Sequence, residues 1–238
     1  MGVTPPIWLL PEAPRRQRGL DRDGIVRAAI ALGDEGGADA VTMRAVATAV
    51  GSSTPMSLYR YVHNRDGLVD LMLDAAMAEV DVPAEPGADW RADVLAVARS
   101  SWAMTGRHPW FAELVHSRPP AGPNSLRKQE FLLAVFEKAG VALPTARGFA
   151  QLVDGHVLGS ALQQAEERKM WRANDFRSID DVKAVAEQWF DAGHAATLYP
   201  RITQLFTSMM SADAVPESPD EQFELGLACL LDGIAQRI

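Results

Sequence analysis

A short run of side chains with DNA-reading chemistry, Thr54, Pro55, Met56 and Ser57, stands at the start of a predicted short helix. Hydroxyl-bearing and flexible side chains of this kind contact base edges and thymine methyl groups when a helix N-terminus enters the major groove. Arg44 lies in the first turn of the preceding predicted helix, from which a guanidinium can reach guanine. These residues predict sequence-specific binding of double-stranded DNA.

A second set of side chains around this segment is suited to phosphate contacts. We expect Thr42, Tyr59, His63 and Arg65 to hold the DNA backbone and so fix the register of the protein on the duplex. Ser53, in the turn before the helix, completes the predicted DNA-binding set. Two alternatives stay open: Tyr59 is also suited to packing its ring in the core, and His63 to being an ordinary surface histidine.

The charge distribution fits such a surface better than the net charge of -8 suggests. Residues 1–65 carry 8 Lys/Arg and 6 Asp/Glu, whereas the rest carries 15 and 25. No acidic residue occurs between Asp39 and Asp66, although three arginines fall there. A carboxylate-free window can face phosphates without self-repulsion. The alternative is a chance distribution in an alanine-rich helix pair.

Helix-capping signals predict the elements that position these residues. Asp21, Thr42 and Asn64 each precede a segment with helical apolar spacing, which is the place of an N-cap. Thr54 followed by Pro55 predicts a capped third helix with proline in its first turn. Two short helices joined by a tight turn, after a longer helix, make a helix-turn-helix arrangement.

The rest of the chain is also predicted to be helical. Apolar residues recur at helical spacing in residues 89–106, in 124–139, in a long segment after Pro144 and in 219–237. On the helix at 124–139 we expect Leu126, Leu133 and Phe136 to lie on one inner stripe. The expected fold class is all-α, with an N-terminal three-helix helix-turn-helix DNA-binding domain followed by an all-helical domain.

The stretch TMRAVATAVGSSTPMSLYRYVHNRDGL, residues 42–68, resembles the N-terminal motif of the tetracycline-repressor (TetR) family. The positions that carry the resemblance are Thr42, Ala47, Gly51, Leu58, Tyr59, Val62, Arg65 and Leu68. The chain departs from the family pattern between Gly51 and Tyr59, where it is one residue longer. The assignment of base-reading residues is therefore open by one position.

Three later segments resemble the C-terminal domain of the tetracycline repressor's own subfamily: HPWFAELVHSRPP, GHVLGSAL and FELGLACLLDGI. The resemblance implies a homodimer in which the long helix and the terminal helix form a four-helix bundle with those of a second copy. Gly226 and Gly233 would then allow close approach at the seam between the copies. The apolar area there would come from Leu227, Leu230, Leu231 and Ile234. The alternative is a terminal helix that docks on its own core.

Residues 1–20 are rich in proline and arginine and are predicted to form a basic irregular arm. The break at Pro83, Pro86 and Gly87 predicts a boundary between a helix-turn-helix DNA-binding domain (21–82) and a second domain (83–238), for which the resemblance implies effector binding and dimerisation. A mostly apolar cavity with a few polar groups is expected in the second domain. The candidate ligand-binding residues are Trp102, Trp110, Phe111, His116, Arg118, Gln129, Phe136, Phe149 and His156. The aromatic residues among them are equally suited to simple core packing.

Neither a metal nor another cofactor is expected. His116 falls near the place of the subfamily's magnesium-binding histidine, but Gln163 and Gln164 stand where the acidic partner would lie. Because Mg²⁺ prefers oxygen ligands, losing that carboxylate argues against a metal site and against tetracycline as the ligand.

Other classes of function have little support in the sequence. No glycine-rich phosphate loop, HExxH motif or GxSxG nucleophile motif is present, so an enzyme is not expected. The single cysteine, Cys229, fits a reducing compartment. With neither a secretory signal nor a membrane span recognisable, we expect a soluble cytoplasmic protein. The sequence thus predicts a homodimeric transcriptional regulator that a small-molecule effector releases from a palindromic operator; the alternative is a helical ligand-binding module without DNA binding.

Overall fold

The computed structural model describes residues 7–11, 20–117, 121–191, 198–209, 211 and 217–238, and in this part of the chain it contains helices and no β-strand. The predicted all-α fold class is confirmed. The α-helices are α1 (Arg22–Gly36), α2 (Met43–Ala49), α3 (Met56–Val62), α4 (Arg65–Met77), α5 (Trp90–Arg107), α6 (Trp110–Val115), α7 (Pro123–Lys138), α8 (Leu143–Ala173), α9 (Ile179–Asp191), α10 (Pro200–Met209) and α11 (Pro219–Ala235). Short 3-10 helices occur at Ile7–Leu9 and Ala38–Ala40.

Three of the predicted N-caps are present in the structure. A side-chain oxygen of Asp21, Thr42 and Asn64 accepts the backbone N–H three residues further on, at 2.7, 3.1 and 2.8 Å. These bonds satisfy amides that the first helical turn leaves without partners. The starts of α1, α2 and α4 are therefore fixed by residues next to them in the sequence.

The chain divides into two compact units, one of Met1–Ala165 with Leu225–Ile238 and the other of Glu166–Glu224. The predicted domain boundary between residues 82 and 83 lies inside the first unit, in the loop between α4 and α5. In the second unit α10 has no buried residue, and its Ile202 and Leu205 are 56% and 60% exposed.

Helix α4 lies at the centre of the first unit. It packs against α1 and α3 and also against α5, α6 and α7. Its buried residues are Gly67 to Asp74, Ala76 and Met77, so burial surrounds the helix instead of following a single apolar stripe. A helix that is covered on all sides in this way connects the elements that pack on either side of it.

The core beyond α4 is rich in aromatic side chains. Phe136 is wholly buried, with its ring centroid 5.9 Å from that of Trp90 and 5.5 Å from that of Phe149. The prediction for Leu126 was wrong, because α7 turns Phe131, Leu132, Val135 and Phe136 inwards and leaves Leu126 53% exposed.

The terminal helix α11 packs on its own chain over part of its length. Leu227, Leu231 and Ile234, expected at a seam between two copies, are buried within the single chain. A Cβ added to Gly226 would overlap the ring of His156 on α8. This side of α11 therefore faces its own core, in agreement with the alternative that the terminal helix docks on its own chain.

None of the helices in the described residues is both long and apolar enough to cross a membrane.

Candidate nucleic-acid interface and ligand cavity

The candidate recognition helix α3 begins one residue later than predicted. Thr54 was expected to cap it, but the residue before the helix is Pro55, and the start of α3 has no side-chain cap. Pro55 already has helical backbone angles, φ -61° and ψ -23°, so the chain enters the helix after Thr54 without a hydroxyl cap. The structure corrects the role of Thr54 from a cap to an exposed turn residue.

The longer turn between α2 and α3 is held by hydrogen bonds of its own. Gly51 has φ +70°, a conformation that glycine adopts without strain, and the N–H of Ser52 donates to the carbonyl of Ala47 at 2.8 Å. The hydroxyls of Ser52 and Ser57 lie 2.5 Å apart, and they approach the carbonyl oxygen of Thr54 to 3.1 and 2.8 Å. The Ser57 hydroxyl, predicted to contact DNA, is thus engaged in ordering the turn.

The outer side chains of the helix-turn-helix are accessible while its inner ones are fixed. Leu58 and Val62 are wholly buried, which holds α3 against the core. Met56 at the start of α3 is 73% exposed. Of the other predicted DNA contacts, Thr42, Arg44, Ser53, Thr54 and Arg65 are exposed, and Pro55, Ser57, Tyr59 and His63 are half-buried.

Two of these side chains combine a structural role with a phosphate-binding one. The Thr42 hydroxyl accepts the N–H of Ala45, and its own hydrogen can still be donated to a phosphate oxygen. Arg65 is exposed in the first turn of α4, where free backbone amides add their attraction for an anion.

His63 forms a tight turn between α3 and α4. Its φ of +60° and ψ of -46°, with the Asn64 N–H donating to the Val62 carbonyl, describe a γ-turn of the strained kind. The Nε2 of His63 lies 3.2 Å from the carbonyl oxygen of Pro11. Because a carbonyl can only accept, Nε2 is the donor. The sequence did not reveal this contact, since 52 residues separate the partners.

A cavity of about 70 Å³ lies beside α4, between α6, α7 and α8. Its lining is mainly apolar: Trp8, Leu73, Met77, Phe111, Val115, Ala121, Gly122 and Leu158, together with the polar Asp70, Asp74, Ser125, Lys128, Gln129 and Asp154. Apolar walls with a few polar groups are typical of small-molecule sites.

Asp74 is the most fully engaged polar group of this cavity. It is buried, and its carboxylate accepts the backbone N–H groups of Asn124 and Ser125 at 2.9 and 3.2 Å and the Asn124 side-chain amide at 2.8 Å. These are the free amides at the start of α7, so Asp74 caps a helix 50 residues away. A Cβ on Gly122 would overlap the Asp74 carboxylate, which explains a glycine there.

Two further polar contacts connect the cavity walls. The Lys128 Nζ lies 2.6 Å from the Asp154 carboxylate, joining α7 to α8. The Asp70 carboxylate accepts the backbone N–H of Ile7 at 3.2 Å, joining α4 to the N-terminal 3-10 helix.

Of the predicted ligand-binding residues, Phe111 and Gln129 line the cavity. Phe136 and Phe149 pack on each other in the core, and Trp110 is wholly buried with its Nε1–H donated to Asp34 at 2.7 Å. His116 is exposed at the end of α6, Trp102 and His156 are half-buried on α5 and α8, and Arg118 lies outside the described residues.

Sequence reasoning did not identify the cavity residues on α4, such as Leu73 and Met77. Residues 65–77 had been assigned to the DNA-binding domain, and a helix buried on all sides gives no separate signal for a second, ligand-facing side.

A buried histidine connects α1 to the start of α6. His108 places Nδ1 2.7 Å from Asp34 and Nε2 3.0 Å from Glu79. Arg107 also donates to Glu79, at 2.9 Å. Burial acts to raise the pKa of Glu79, but the hydrogen bonds and charges of His108 and Arg107 outweigh it and hold that pKa below its ordinary value. This polar cluster was not anticipated from the sequence.

A family model described as "Tetracyclin repressor-like, C-terminal domain" matches residues 82–238. The chain belongs to the TetR family. This is a family of DNA-binding transcriptional regulators and not of enzymes, as the sequence predicted.

Relatives of known description agree with this assignment to the TetR family. The chain is 32% identical over 216 residues to the HTH-type transcriptional repressor DrrR1 of Streptomyces coeruleorubidus, covering 90% of this chain and 77% of that protein. It is 34% identical over 175 residues to an HTH-type transcriptional regulator of Saccharopolyspora erythraea, covering 73% and 72%.

Solved TetR-family structures share the fold. The Streptomyces coelicolor TetR family protein ActR in complex with actinorhodin superimposes with a TM-score of 0.72 at 29% identity, over 91% of this chain and 95% of ActR.

Proposed function

We propose that this protein is a homodimeric TetR-family repressor that binds a palindromic operator in the cytoplasm and is released by a small-molecule effector. The observation that carries the DNA-binding part is the pairing of a firmly buried inner side of α3, at Leu58 and Val62, with a 73% exposed Met56 at its start. A helix held in this way presents its N-terminal residues to a major groove without losing its place on the core.

The proposed contacts divide into base-reading and phosphate-holding groups. Arg44, Thr54 and Met56 are exposed on the second and third helices and their turn, and they would contact base edges. Thr42, Tyr59 and Arg65 would bind phosphates and position the helix. We assign Ser57 only a minor role in DNA binding, because its hydroxyl is engaged with Ser52 and Thr54.

Exposed apolar and glycine-rich surface supports the homodimer. In the first unit, Leu152 on α8 and Leu225 on α11 are 54% and 61% exposed. A Cβ added to Gly155, Gly159 or Gly233 would meet open space, so a second helix can approach the backbone there. Two copies related by a twofold axis also match an inverted-repeat operator.

The cavity beside α4 is the proposed effector site. Three of its six polar lining residues are carboxylates, which accept hydrogen bonds, so the fitting effector is an apolar molecule that carries hydrogen-bond donors. At about 70 Å³ the cavity is well below the roughly 300–1,000 Å³ usual for ligand sites, so an effector must move part of the wall. ActR, with the same fold, has been solved with actinorhodin bound.

Helix α4 offers the route from effector to operator. It packs on α3 on one side and contributes Asp70, Leu73, Asp74 and Met77 to the cavity on the other. An effector that favours a shifted α4 would favour a dimer whose two recognition helices no longer match successive major grooves.

Selection of bound duplexes from a random DNA library at moderate salt tests this function. We expect an enriched inverted repeat and an affinity that falls steeply with salt, since phosphate contacts release counterions. No enrichment by a folded, dimeric protein would contradict the proposal and favour a ligand-binding module without DNA binding.

A matched pair of variants then tests the proposed interface. Arg65→Ala should weaken binding to the selected operator, whereas Arg147→Ala, which removes the same charge from an exposed position on α8, should not. Equal losses in both would mean that net charge, and not the helix-turn-helix, governs binding.

A further inference from the structure

The N-terminal segment Ile7–Pro11 (hereafter the N-terminal strap) is packed against the DNA-binding helices. Ile7 is 1% exposed, and its N–H donates to the Asp70 carboxylate at 3.2 Å. Its Cδ1 lies 3.1 Å from the position of a Cβ on Gly67. A strap with a buried side chain and a buried backbone hydrogen bond has a defined place in the fold.

Trp8, the next residue, forms part of the cavity wall. The other lining residues lie on α4, α6, α7 and α8 or, for Ala121 and Gly122, directly before α7. Trp8 instead lies on a 3-10 helix of three residues, and its neighbour Leu9 is 76% exposed. Trp8 is therefore the large side chain of the wall with the least secondary structure to hold it.

The same strap reaches the end of the recognition helix. Three residues beyond Trp8, the carbonyl oxygen of Pro11 accepts from the Nε2 of His63 at 3.2 Å. His63 is the residue that follows α3 and forms the strained turn into α4. One short piece of chain thus contacts both the ligand cavity and the turn that sets the end of α3.

We propose that Trp8 is an effector-site residue, that an effector enters by displacing its indole, and that the displaced strap transmits occupancy to the recognition helix through Pro11 and His63. This inference rests on the proposed function, since it names the moving wall of the effector site. The cavity is smaller than usual ligand sites, so part of its wall must move, and Trp8 is the large wall side chain with the least secondary structure around it. Moving it also disturbs the Ile7–Asp70 and Pro11–His63 hydrogen bonds.

N-phenyl-1-naphthylamine, a neutral aromatic dye with one N–H donor that fluoresces in apolar surroundings, tests the first half of the proposal on the full-length protein without DNA. Trp8→Ala removes the group that the dye must displace, so it should bind the dye roughly tenfold more tightly than the wild type, a change of about 1.4 kcal/mol. Leu9→Ala, in the same 3-10 helix but facing solvent, should leave dye binding unchanged. Equal dye binding by all three proteins, or binding by none, would overturn the proposal.

The second half is tested by the coupling between dye and operator. For the wild type, saturating dye should lower operator affinity, and the operator should lower dye affinity by the same factor. In Trp8→Ala the dye should bind but this factor should fall towards one, while Leu9→Ala keeps it. Dye that occupies the wild-type cavity without changing operator affinity, or a Trp8→Ala variant with unchanged coupling, would overturn the relay.

Failure of the proposed function and failure of the role of Trp8 give different results in these experiments. A wild type that binds no operator contradicts the proposed function, and the DNA-free dye titration still decides whether Trp8 controls the cavity. A wild type that binds operator and dye, with Trp8→Ala behaving like Leu9→Ala, leaves the proposed function intact and removes the strap from it.

Discussion

The DNA-binding helices and the cavity region are held together in different ways. Each of the helices α1, α2 and α4 begins at a side-chain cap that accepts a backbone N–H three residues further on. The cavity region depends on polar contacts between distant parts of the chain, such as Asp74 with Asn124 and Lys128 with Asp154. The difference implies that the starts of these three helices are fixed by neighbouring residues, whereas the cavity region can be rearranged by a ligand that competes for its long-range contacts.

Replacing Asp74 should have the largest effect on stability. Asp74→Ala leaves two amides at the start of α7 and the Asn124 side chain without their acceptor in a buried place, which should cost about 3 kcal/mol of unfolding free energy. Asp154→Ala, whose carboxylate is partly exposed, should cost less. Urea unfolding of both variants measures this; equal, small losses would mean that the cavity region does not depend on its long-range polar contacts.

Gly67→Ala should destabilise the packing of the DNA-binding helices. An added Cβ would overlap the backbone carbonyl oxygen of Val62, at the end of the recognition helix, and backbone cannot move aside without shifting α3. We expect a loss of about 2 kcal/mol and weaker operator binding. Gly148→Ala, in α8 with open space around it, is the matched control and should be neutral or slightly stabilising. The same urea unfolding curves compare them, and an unchanged Gly67→Ala would contradict the close approach.

Thr42 should separate capping from phosphate binding. Thr42→Ala removes the cap of α2 and should cost about 1 kcal/mol of stability together with some operator affinity. Thr42→Ser keeps the hydroxyl and should restore both quantities. If the serine variant restored stability alone, the hydroxyl would be a cap without a phosphate role.

The smallest expected effect is the acid sensitivity of the His108 cluster. The pKa of Glu79 is lower in the folded protein than its ordinary value of 4.5, so its contribution is complete above that value and is lost as the pH falls through the folded pKa. The stability difference between the wild type and Glu79→Gln should therefore shrink below about pH 4.5 and weaken with salt, since Glu79 is 41% exposed. A difference that grows on acidification would contradict the lowered pKa.

The capped elements could be predicted from the sequence because capping is local. Asp21, Thr42 and Asn64 were identified from their types and the apolar spacing that follows them. The prediction at Thr54 was wrong because a threonine before a proline is typical of a helix cap when only neighbouring residues are considered. The longer turn, which moves the start of α3 by one residue, depends on the Ser52 and Ser57 hydroxyls.

The cavity could not be predicted in the same way. Trp110 and Phe136 have the residue types of a ligand site, but partners distant in the sequence decide where they lie. The ring of Phe136 meets those of Trp90 and Phe149, and the Trp110 Nε1–H donates to Asp34. Trp8 belongs to a segment that composition alone assigns to an irregular arm. Its place on α4 follows from one buried residue, Ile7, and the Asp70 carboxylate.

Asp74 restricts how the ligand preference of this protein can diverge. The same carboxylate lines the cavity and caps the start of α7. A substitution of Asp74 should therefore destabilise the fold, whatever its effect on ligand binding. Gln129, Val115 and Leu158 line the same cavity, and in the described part of the chain their side chains do not cap a helix. Changes of ligand preference, natural or engineered, should accumulate at these positions around an unchanging aspartate.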